Sequence, residues 1–256
     1  MAVIDVEDVS KEFQARRADV LALSRTTLRI EGNQVVCVVG PSGCGKTTLL
    51  NLIAGFLQPS AGRVLVDGSP VTRPDSSRAV VFQSDAVFPW LTVRRNVEYG
   101  LRLRGVDRTA RKERVDRYLD LVGLADFADA YPKELSGGMR KRVDIARAYA
   151  SGPEVLLLDE PFGALDIFTR EAMWLALHHV NLAEPKTIVF VTHDIEEALF
   201  VGDRVIVMTP RPARVHQDIT VPFERRGDLD LRGSKEFQDM RIQISRSLRE
   251  VSGDRD

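Results

Sequence analysis

Residues 35–48 decide the fold, and they read Val35-Val-Cys-Val-Val-Gly-Pro-Ser-Gly-Cys-Gly-Lys-Thr-Thr48. The first five residues are apolar and mostly β-branched, which is typical of a strand buried on both faces of a parallel sheet. Residues 40–47 fit the pattern G-x-x-x-x-G-K-[ST], and a helical run follows at 48–54. Glycines let backbone N–H groups curl around a phosphate, and a helix N-terminus adds favourable partial charge. The stretch therefore predicts a nucleotide site, although a glycine-rich turn at a helix start is the structural alternative.

Two side chains of this loop have expected roles of their own. We expect Lys46 to reach the β- and γ-phosphates and the Thr47 hydroxyl to ligate Mg²⁺. Because Cys44 lies inside the loop, modification of its thiol is expected to block nucleotide binding. The nucleotide-binding residues that the loop predicts are Gly40, Pro41, Ser42, Gly43, Cys44, Gly45, Lys46, Thr47 and Thr48.

A pair of carboxylates follows a second apolar run. The stretch reads Val155-Leu-Leu-Leu-Asp-Glu160, so four apolar residues lead into two acids. In open α/β sheets, ligands bind at the carboxyl ends of the strands, where these acids would lie. We expect Asp159 to hold Mg²⁺ and Glu160 to act as the general base on the attacking water. Taken alone, two acids could simply end a strand, but beside the loop at 40–47 they favour nucleotide hydrolysis.

The composition is that of an ordinary globular protein. The chain has 256 residues, of which 29% are charged and 44% hydrophobic, and its formal net charge is −1. Such a balance gives no basic field that would indicate a nucleic-acid partner. Two cysteines are too few for a disulfide framework, the longest apolar runs are strand-sized, and the N-terminus lacks a signal-peptide pattern. These observations exclude secreted, membrane-spanning and disulfide-stapled classes and leave a cytosolic enzyme.

Apolar runs alternate with helical patterns along the chain, which indicates a parallel sheet with helices around it. The predicted strands are 2–9, 27–30, 35–39, 63–67, 79–82, 155–158, 187–191 and 205–208. The segment from about 89 to 150 is helical and charged, so we interpret it as an α-helical subdomain inserted into an α/β core. After Arg214 the chain becomes polar, and a tail helix is predicted from Ser234.

Between the loop and the paired acids lies Leu135-Ser-Gly-Gly-Met139, which opens a helix. This stretch resembles the signature motif of ATP-binding-cassette (ABC) ATPases, with Met139 where Gln is commoner. In that family the signature residues, here Leu135, Ser136, Gly137, Gly138 and Met139, bind a phosphate held by the opposite protomer. The resemblance implies a P-loop NTPase (RecA-like) core with an antiparallel β subdomain and the inserted helical subdomain.

Four further residues match motifs of the family. Phe13 matches the aromatic residue on which adenine stacks, and Gln83 matches the glutamine that touches Mg²⁺. Asp166 matches the loop that crosses the dimer seam, and His193 matches the histidine that contacts the γ-phosphate. The resemblance therefore implies Glu160, His193, Lys46 and Gln83 as catalytic residues. It implies Thr47, Gln83 and Asp159 as metal ligands.

Within the family, the chain is similar to the ATPases of importers for nitrate, sulfonates and taurine. The stretches that carry this similarity are Phe88-Pro-Trp-Leu-Thr-Val93, Pro161–Arg170, His193-Asp-Ile-Glu-Glu-Ala198 and Arg211-Pro-Ala-Arg214. Three residues depart from the usual pattern, namely Lys141, Asp144 and Asn33. Because all three lie off the phosphate path, we expect them to affect dimer or permease contacts rather than hydrolysis.

The similarity implies an ATPase that couples ATP hydrolysis to the uptake of a small anionic solute. Its cofactors would be ATP and Mg²⁺. Its partners would be a second copy in a head-to-tail dimer, integral-membrane permease subunits and, indirectly, an exported solute-binding protein, with no nucleic acid. The chain would then lie peripherally on the cytoplasmic face of the inner membrane. Phe88 and Trp90 would dock a permease helix, or would simply pack the helical subdomain.

The implied organisation is an ATPase domain at 1–215 and a C-terminal tail with a helix at 216–256. A cassette ATPase that acts on DNA or ribosomes without a membrane partner is the alternative function. Such proteins usually carry a long coiled-coil insertion or a second cassette, for which this chain has no room. A nucleotide-binding kinase or switch protein is a further alternative, although it has no use for a signature motif.

Overall fold

The computed structural model describes residues 2–14, 19–84, 86–223 and 227–253. Its strands are β1 (Ile4–Phe13), β2 (Val20–Ile30), β3 (Val35–Val39), β4 (Ala61–Val66), β5 (Ser69–Pro70), β6 (Arg78–Val81), β7 (Val155–Asp159), β8 (Thr187–Val191), β9 (Arg204–Met208) and β10 (Val215–Thr220). Its α-helices are α1 (Lys46–Ala54), α2 (Val93–Leu103), α3 (Arg108–Leu121), α4 (Gly137–Ala150), α5 (Ile167–Ala183), α6 (Ile195–Val201) and α7 (Lys235–Ser252).

The larger sheet has six strands in the order β10-β9-β3-β8-β7-β6. Strand β3 pairs in parallel with β8 and β9, and β7 pairs in parallel with β6 and β8. Every residue of β3 and of β8 is buried, as the continuous apolar runs predict. Because these strands are parallel, the carboxyl ends of β3, β7 and β8 meet at one edge of the sheet, where the predicted site residues follow them.

The smaller sheet is antiparallel, with the order β2-β1-β4-β5. Ile4, Val6 and Val9 of β1 are buried and alternate with more exposed residues, so one face packs inward. That face joins Leu49 and Ile53 of α1 in a single hydrophobic cluster. The small sheet therefore supports the helix that follows the phosphate loop. The two sheets together agree with the predicted α/β fold class.

Helices α2, α3 and α4 lie between β6 and β7, in the part of the chain expected to be a helical insertion. Each helix begins at a side-chain N-cap, formed by Thr92, Asp107 and Ser136 respectively. Their buried faces join the cluster that covers one side of the six-stranded sheet. The helices are thus packed on the core, and the limits of the insertion remain a prediction.

The chain after Arg214 contains one strand that sequence reasoning missed. Strand β10 pairs antiparallel with β9 at the edge of the large sheet, so this sheet extends to Thr220, past the predicted domain end at 215. The tail helix α7 begins at its N-cap Ser234, as predicted, and buries Phe237 and Ile244. Among the described residues, no helix is long and apolar enough to cross a bilayer.

Candidate nucleotide site

The phosphate loop connects β3 to α1 and has the backbone that its glycines allow. Gly43 and Gly45 adopt positive φ values of 70° and 131°, which other residues seldom adopt. A Cβ on Gly45 would also lie 3.1 Å from the Ala22 carbonyl oxygen. Lys46 is 5% exposed, and its ammonium donates to the carbonyl oxygens of Gly40, at 2.9 Å, and Pro41, at 3.2 Å. The loop therefore holds a buried cation at its centre.

Cys44 also lies in this loop, but its thiol is buried. Burial raises its pKa, and the positive charges of Lys46 and Arg211 oppose that shift only in part. Since the thiolate is the reactive form, Cys44 is a poorly reactive thiol, and the blocking of nucleotide binding by its modification stays a prediction.

Thr47 and Asp159 meet at the carboxyl edge of the sheet. The Thr47 hydroxyl donates to Asp159 Oδ1 over 3.1 Å. Burial raises the pKa of Asp159, and the neighbouring Glu160 carboxylate raises it further, so a cation would relieve both effects. Within the described ranges, no group of three or more His, Cys, Asp or Glu side chains could hold a metal alone. Two oxygen ligands fit Mg²⁺, which commonly takes its remaining ligands from water and substrate phosphates.

Glu160 and His193 follow neighbouring strands, and the structure brings them into contact. His193 Nδ1 lies 3.1 Å from Glu160 Oε2. The backbone at Glu160 has φ 44°, an unusual value for a residue other than glycine, and its N–H donates to the Val191 carbonyl over 2.9 Å. The carboxylate is thus held at a fixed place beside the histidine, where a general base could act.

Three side-chain pairs hold the loop that carries His193, and sequence reasoning missed all of them. Buried Glu197 accepts from Trp174 Nε1 over 2.9 Å and from the Thr192 hydroxyl. Asp194 forms an ion pair with Arg170 over 2.9 Å. Arg170 also donates to the carbonyl of Leu165, the residue before Asp166, over 3.0 Å. The loop of His193 is therefore tied to the loop of Asp166.

Burial raises the pKa of Glu197 from 4.5 to about 7, because its hydrogen bonds offset the loss of water only in part. The folded chain thus keeps this proton where the unfolded chain has lost it. The free energy of unfolding therefore falls as pH rises from about 4.5 to about 7, by roughly 3 kcal/mol from this group.

In Glu197→Gln the amide oxygen still accepts from Trp174 Nε1, the amide nitrogen donates to the Thr192 hydroxyl oxygen, and the titration is removed. We expect the free energy of unfolding of this variant, relative to that of the wild type, to be about 2–3 kcal/mol higher at pH 8 than at pH 5. Urea unfolding of both proteins at the two pH values checks this. Parallel pH profiles of the two proteins would contradict it.

Two side chains of α4 hold the backbone around Gln83 by hydrogen bonds. Lys141 Nζ donates to the carbonyl oxygens of Phe82, at 3.0 Å, and Gln83, at 3.2 Å. Asp144 Oδ2 accepts from the Ala86 N–H over 3.1 Å and lies 3.7 Å from Lys141 Nζ. Lys141 and Asp144 are each 2% exposed, so any effect they have on dimer or permease contacts would pass through the residues they hold, and that expectation stays a prediction. They position the loop of Gln83, whose own side chain is exposed.

The signature residues lie beside the loop of Asp166 and not beside the phosphate loop. Ser136 caps α4 by accepting from the Met139 N–H over 3.3 Å. A Cβ on Gly138 would collide with the Thr169 side chain, and Thr169 in turn bonds Asp166. Among the described residues, no hydrogen bond joins 135–139 to 40–48. The signature residues are thus not joined by hydrogen bonds to the phosphate loop of the same copy.

Phe13, at the end of β1, lines the same cleft as the phosphate loop. This cleft of about 270 Å³ is lined by Phe13, Val20, Ala22, Gly43, Gly45, Lys46, Thr47, Thr48, Glu160 and Arg211. The structure therefore brings the predicted adenine, phosphate and water-activating residues to one place. Arg211 is a further residue there, and sequence reasoning gave it no role.

An aromatic surface lies on the other side of the Gln83 loop. The Phe88 ring lies 5.6 Å from the Trp90 ring and 4.7 Å from the Tyr99 ring, measured between centroids. Trp90 is 68% exposed, while the Arg147 guanidinium lies over Phe88 at 5.2 Å. Arg147 also bonds Asp144 over 2.8 Å. The aromatic surface, defined here as Phe88, Trp90 and Tyr99, is thus linked to the residues that hold the Gln83 loop.

The fold and the phosphate loop define a nucleotide-binding protein of the P-loop class. Comparison with known proteins narrows this class. The sequence profile of the family described as ABC transporter matches residues 23–163. A putative ATP-binding protein of Brucella abortus is 53% identical over 224 residues, which are 88% of this chain and 86% of the relative.

Two relatives carry more specific names. The taurine import ATP-binding protein of Rhizobium johnstonii is 48% identical over 94% of this chain and 95% of its own. The nitrate import ATP-binding protein of a Synechocystis species is 47% identical over 85% of this chain and 82% of its own.

Two solved structures resemble the chain with a TM-score of 0.73, and each covers 86% of this chain and 99% of its own. One is a dimeric bacterial ABC transporter cassette, 32% identical to this chain. The other is a dimeric cassette in a post-hydrolysis state bound to ADP and Pi, 31% identical. The chain therefore belongs to the ABC transporter family and is an ATP-binding ATPase. The predictions of family, fold class and ATPase activity are confirmed.

Proposed function

We propose that the chain is the ATP-hydrolysing subunit of an importer for a small anionic solute of the nitrate, taurine or aliphatic sulfonate class. The observation that carries this proposal is the similarity to import ATP-binding proteins named for taurine and nitrate, at 44–48% identity over most of the chain. A separate permease would supply the membrane span and the solute path.

The working unit is a head-to-tail dimer with ATP at each of two composite sites. Lys46 and Thr47 of one copy hold the phosphates, and Ser136 and Gly138 of the second copy complete the site. Two observations support this arrangement: the signature residues make no hydrogen bond to the phosphate loop of their own copy within the described residues, and two similar cassettes are dimeric. The γ-phosphate then bridges the two copies, so hydrolysis removes the bridge and the dimer opens.

Hydrolysis relies on position and charge. Thr47, Asp159 and Gln83 would hold Mg²⁺, and the ion would supply positive charge to the phosphate oxygens. Lys46 adds a second positive charge, and its burial strengthens that electrostatic effect. Glu160 takes a proton from the attacking water, while His193, 3.1 Å from that carboxylate, contacts the γ-phosphate. Phe13 stacks on adenine and fixes the nucleotide in the cleft.

The aromatic surface is the docking site for a cytoplasmic helix of the permease. Trp90 is the most exposed of its three rings, and an exposed aromatic cluster beside a polar loop suits a partner helix. This contact keeps the chain at the cytoplasmic face of the cell membrane as a peripheral subunit. The exported solute-binding protein contacts the permease on the far side and does not touch this chain.

Capture of partners from mildly solubilised native membranes tests this function. A tagged chain is expected to recover a polytopic membrane protein, and a co-purified solute receptor would then be tested with nitrate, taurine and an aliphatic sulfonate. Trp90→Ala is expected to reduce recovery of the membrane protein about tenfold or more, as for an interface anchor. Leu103→Ala, which trims an exposed apolar side chain at the end of α2, is the matched control. Recovery of only soluble or nucleic-acid partners would contradict the importer proposal.

A further inference from the structure

Arg211 lies in the turn that joins β9 to β10, next to the phosphate loop. Thr209 and Arg214 close this turn through two hydrogen bonds of 3.0 Å, one between their backbones and one from the Arg214 N–H to the Thr209 hydroxyl. Ala213 fixes the turn to β2, because its N–H donates to Ala22 O and its carbonyl accepts from Ser24 N, both at 3.0 Å. The turn is thus held at both ends, and Arg211 projects from a fixed backbone.

The guanidinium of Arg211 sits on the outer wall of the phosphate loop. Its Nε donates to the Gly43 carbonyl oxygen over 2.6 Å. An arginine has five N–H donors, so this bond leaves the four on Nη1 and Nη2 for other acceptors. Arg211 also lines the cleft that contains Phe13, Lys46 and Glu160. The bond to Gly43 therefore orients the remaining donors at the mouth of the nucleotide cleft.

The guanidinium of Arg211 binds the phosphate loop and does not pair with a carboxylate among the described residues. Among the described residues, no carboxylate lies within 4.0 Å of the guanidinium, whereas Arg170, Arg204 and Arg232 each form such an ion pair. Its charge also opposes the rise that burial causes in the pKa of Cys44 in the same loop. A cation held at a phosphate loop, away from acids, suits a polyanion.

We propose that Arg211 binds the phosphate chain of the nucleotide as a second cation beside Lys46. This inference rests on the proposed nucleotide site and adds a contact to it. Lys46 holds the phosphates from inside the loop, where it is buried, whereas Arg211 holds them from the exposed side of Gly43. The planar fork of a guanidinium matches phosphate oxygens, which an amide at this position would not.

Nucleotide binding by wild type, Arg211→Gln, Arg211→Lys and Arg214→Gln tests the proposal. The probes are ATP and ADP with EDTA present, measured by calorimetry at roughly 50 and 300 mM NaCl. Arg211→Gln is expected to weaken both nucleotides about tenfold, the usual effect of one charged hydrogen bond. It should also flatten the salt dependence, while Arg211→Lys keeps that dependence. Arg214→Gln removes an exposed arginine from the same turn and should match wild type.

Lys46→Ala separates this inference from the proposed site. If Lys46→Ala abolishes binding and Arg211→Gln keeps wild-type affinity and salt dependence, the role of Arg211 is overturned and the site stands. If Lys46→Ala binds ATP like wild type, the proposed site itself fails. A loss of affinity in Arg211→Gln with an unchanged salt dependence would assign Arg211 to support of Gly43 alone and overturn a phosphate contact. Thermal unfolding without nucleotide checks that each variant is folded.

Discussion

Glu160→Gln is expected to lower the rate of ATP hydrolysis by roughly 10²–10⁴-fold, the range that a general base contributes. The amide keeps the size of the side chain and its contact with His193, but it takes no proton from water. Binding of Mg-ATP should survive, because Lys46, Thr47 and Asp159 are unchanged. Phosphate release at saturating ATP and an ATP binding isotherm check the two halves of this result.

Glu154→Gln is the matched control for this variant. Glu154 directly precedes β7, at the opposite end of that strand from Glu160, and it is exposed. Its replacement should leave the hydrolysis rate unchanged. Hydrolysis by Glu160→Gln at the wild-type rate would show that the general base is another group.

Asp144→Ala is expected to lower the free energy of unfolding by about 3–5 kcal/mol, as is usual when one member of a buried ion pair is removed. The carboxylate holds the Ala86 N–H at 3.1 Å, Arg147 at 2.8 Å and Lys141 at 3.7 Å. The substitution takes the Asp144 carboxylate away from the buried ammonium of Lys141. Lys141→Gln combined with Asp144→Ala removes both charges, so the double variant should lose less stability than Asp144→Ala alone.

Urea unfolding of the single and double variants measures both effects. Asp116→Ala is the control, because Asp116 pairs with Arg94 on a more exposed surface, and its loss should cost less than about 1 kcal/mol. If Asp144→Ala changed stability no more than Asp116→Ala, the buried ion pair would not be what holds the Gln83 loop.

The local parts of the site could be predicted from the sequence because each is encoded by neighbouring residues. The apolar run 35–39 with the glycines and Lys46 after it can form little other than a buried strand, a tight turn and a helix start. The run 155–158 before Asp159 is equally local. In both cases a continuous stretch specifies the strand and the chemistry at its end, and the parallel sheet then brings the two ends together.

The missed residues act over long separations in the chain. Arg211 bonds Gly43 across 168 positions, and Lys141 reaches the Phe82 carbonyl across 59. No local pattern shows that a lysine in a charged helix will be buried, because its burial depends on how the helices pack. Strand β10 was missed for another reason. Its two apolar residues, Val215 and Ile219, are separated by three polar residues, so the period-2 pattern of a strand is lacking and the stretch is easily taken for a polar tail.

The composite site of two copies is the central claim, and the molar mass of Glu160→Gln by light scattering tests it most directly. With Mg-ATP we expect twice the 28.6 kDa of the chain, and without nucleotide the mass of one chain. Adding Ser136→Asp keeps a good N-cap on α4 but opposes a phosphate with negative charge, so that double variant should bind ATP and stay at the mass of one chain. Glu160→Gln that binds Mg-ATP and remains at the mass of one chain would contradict the composite site.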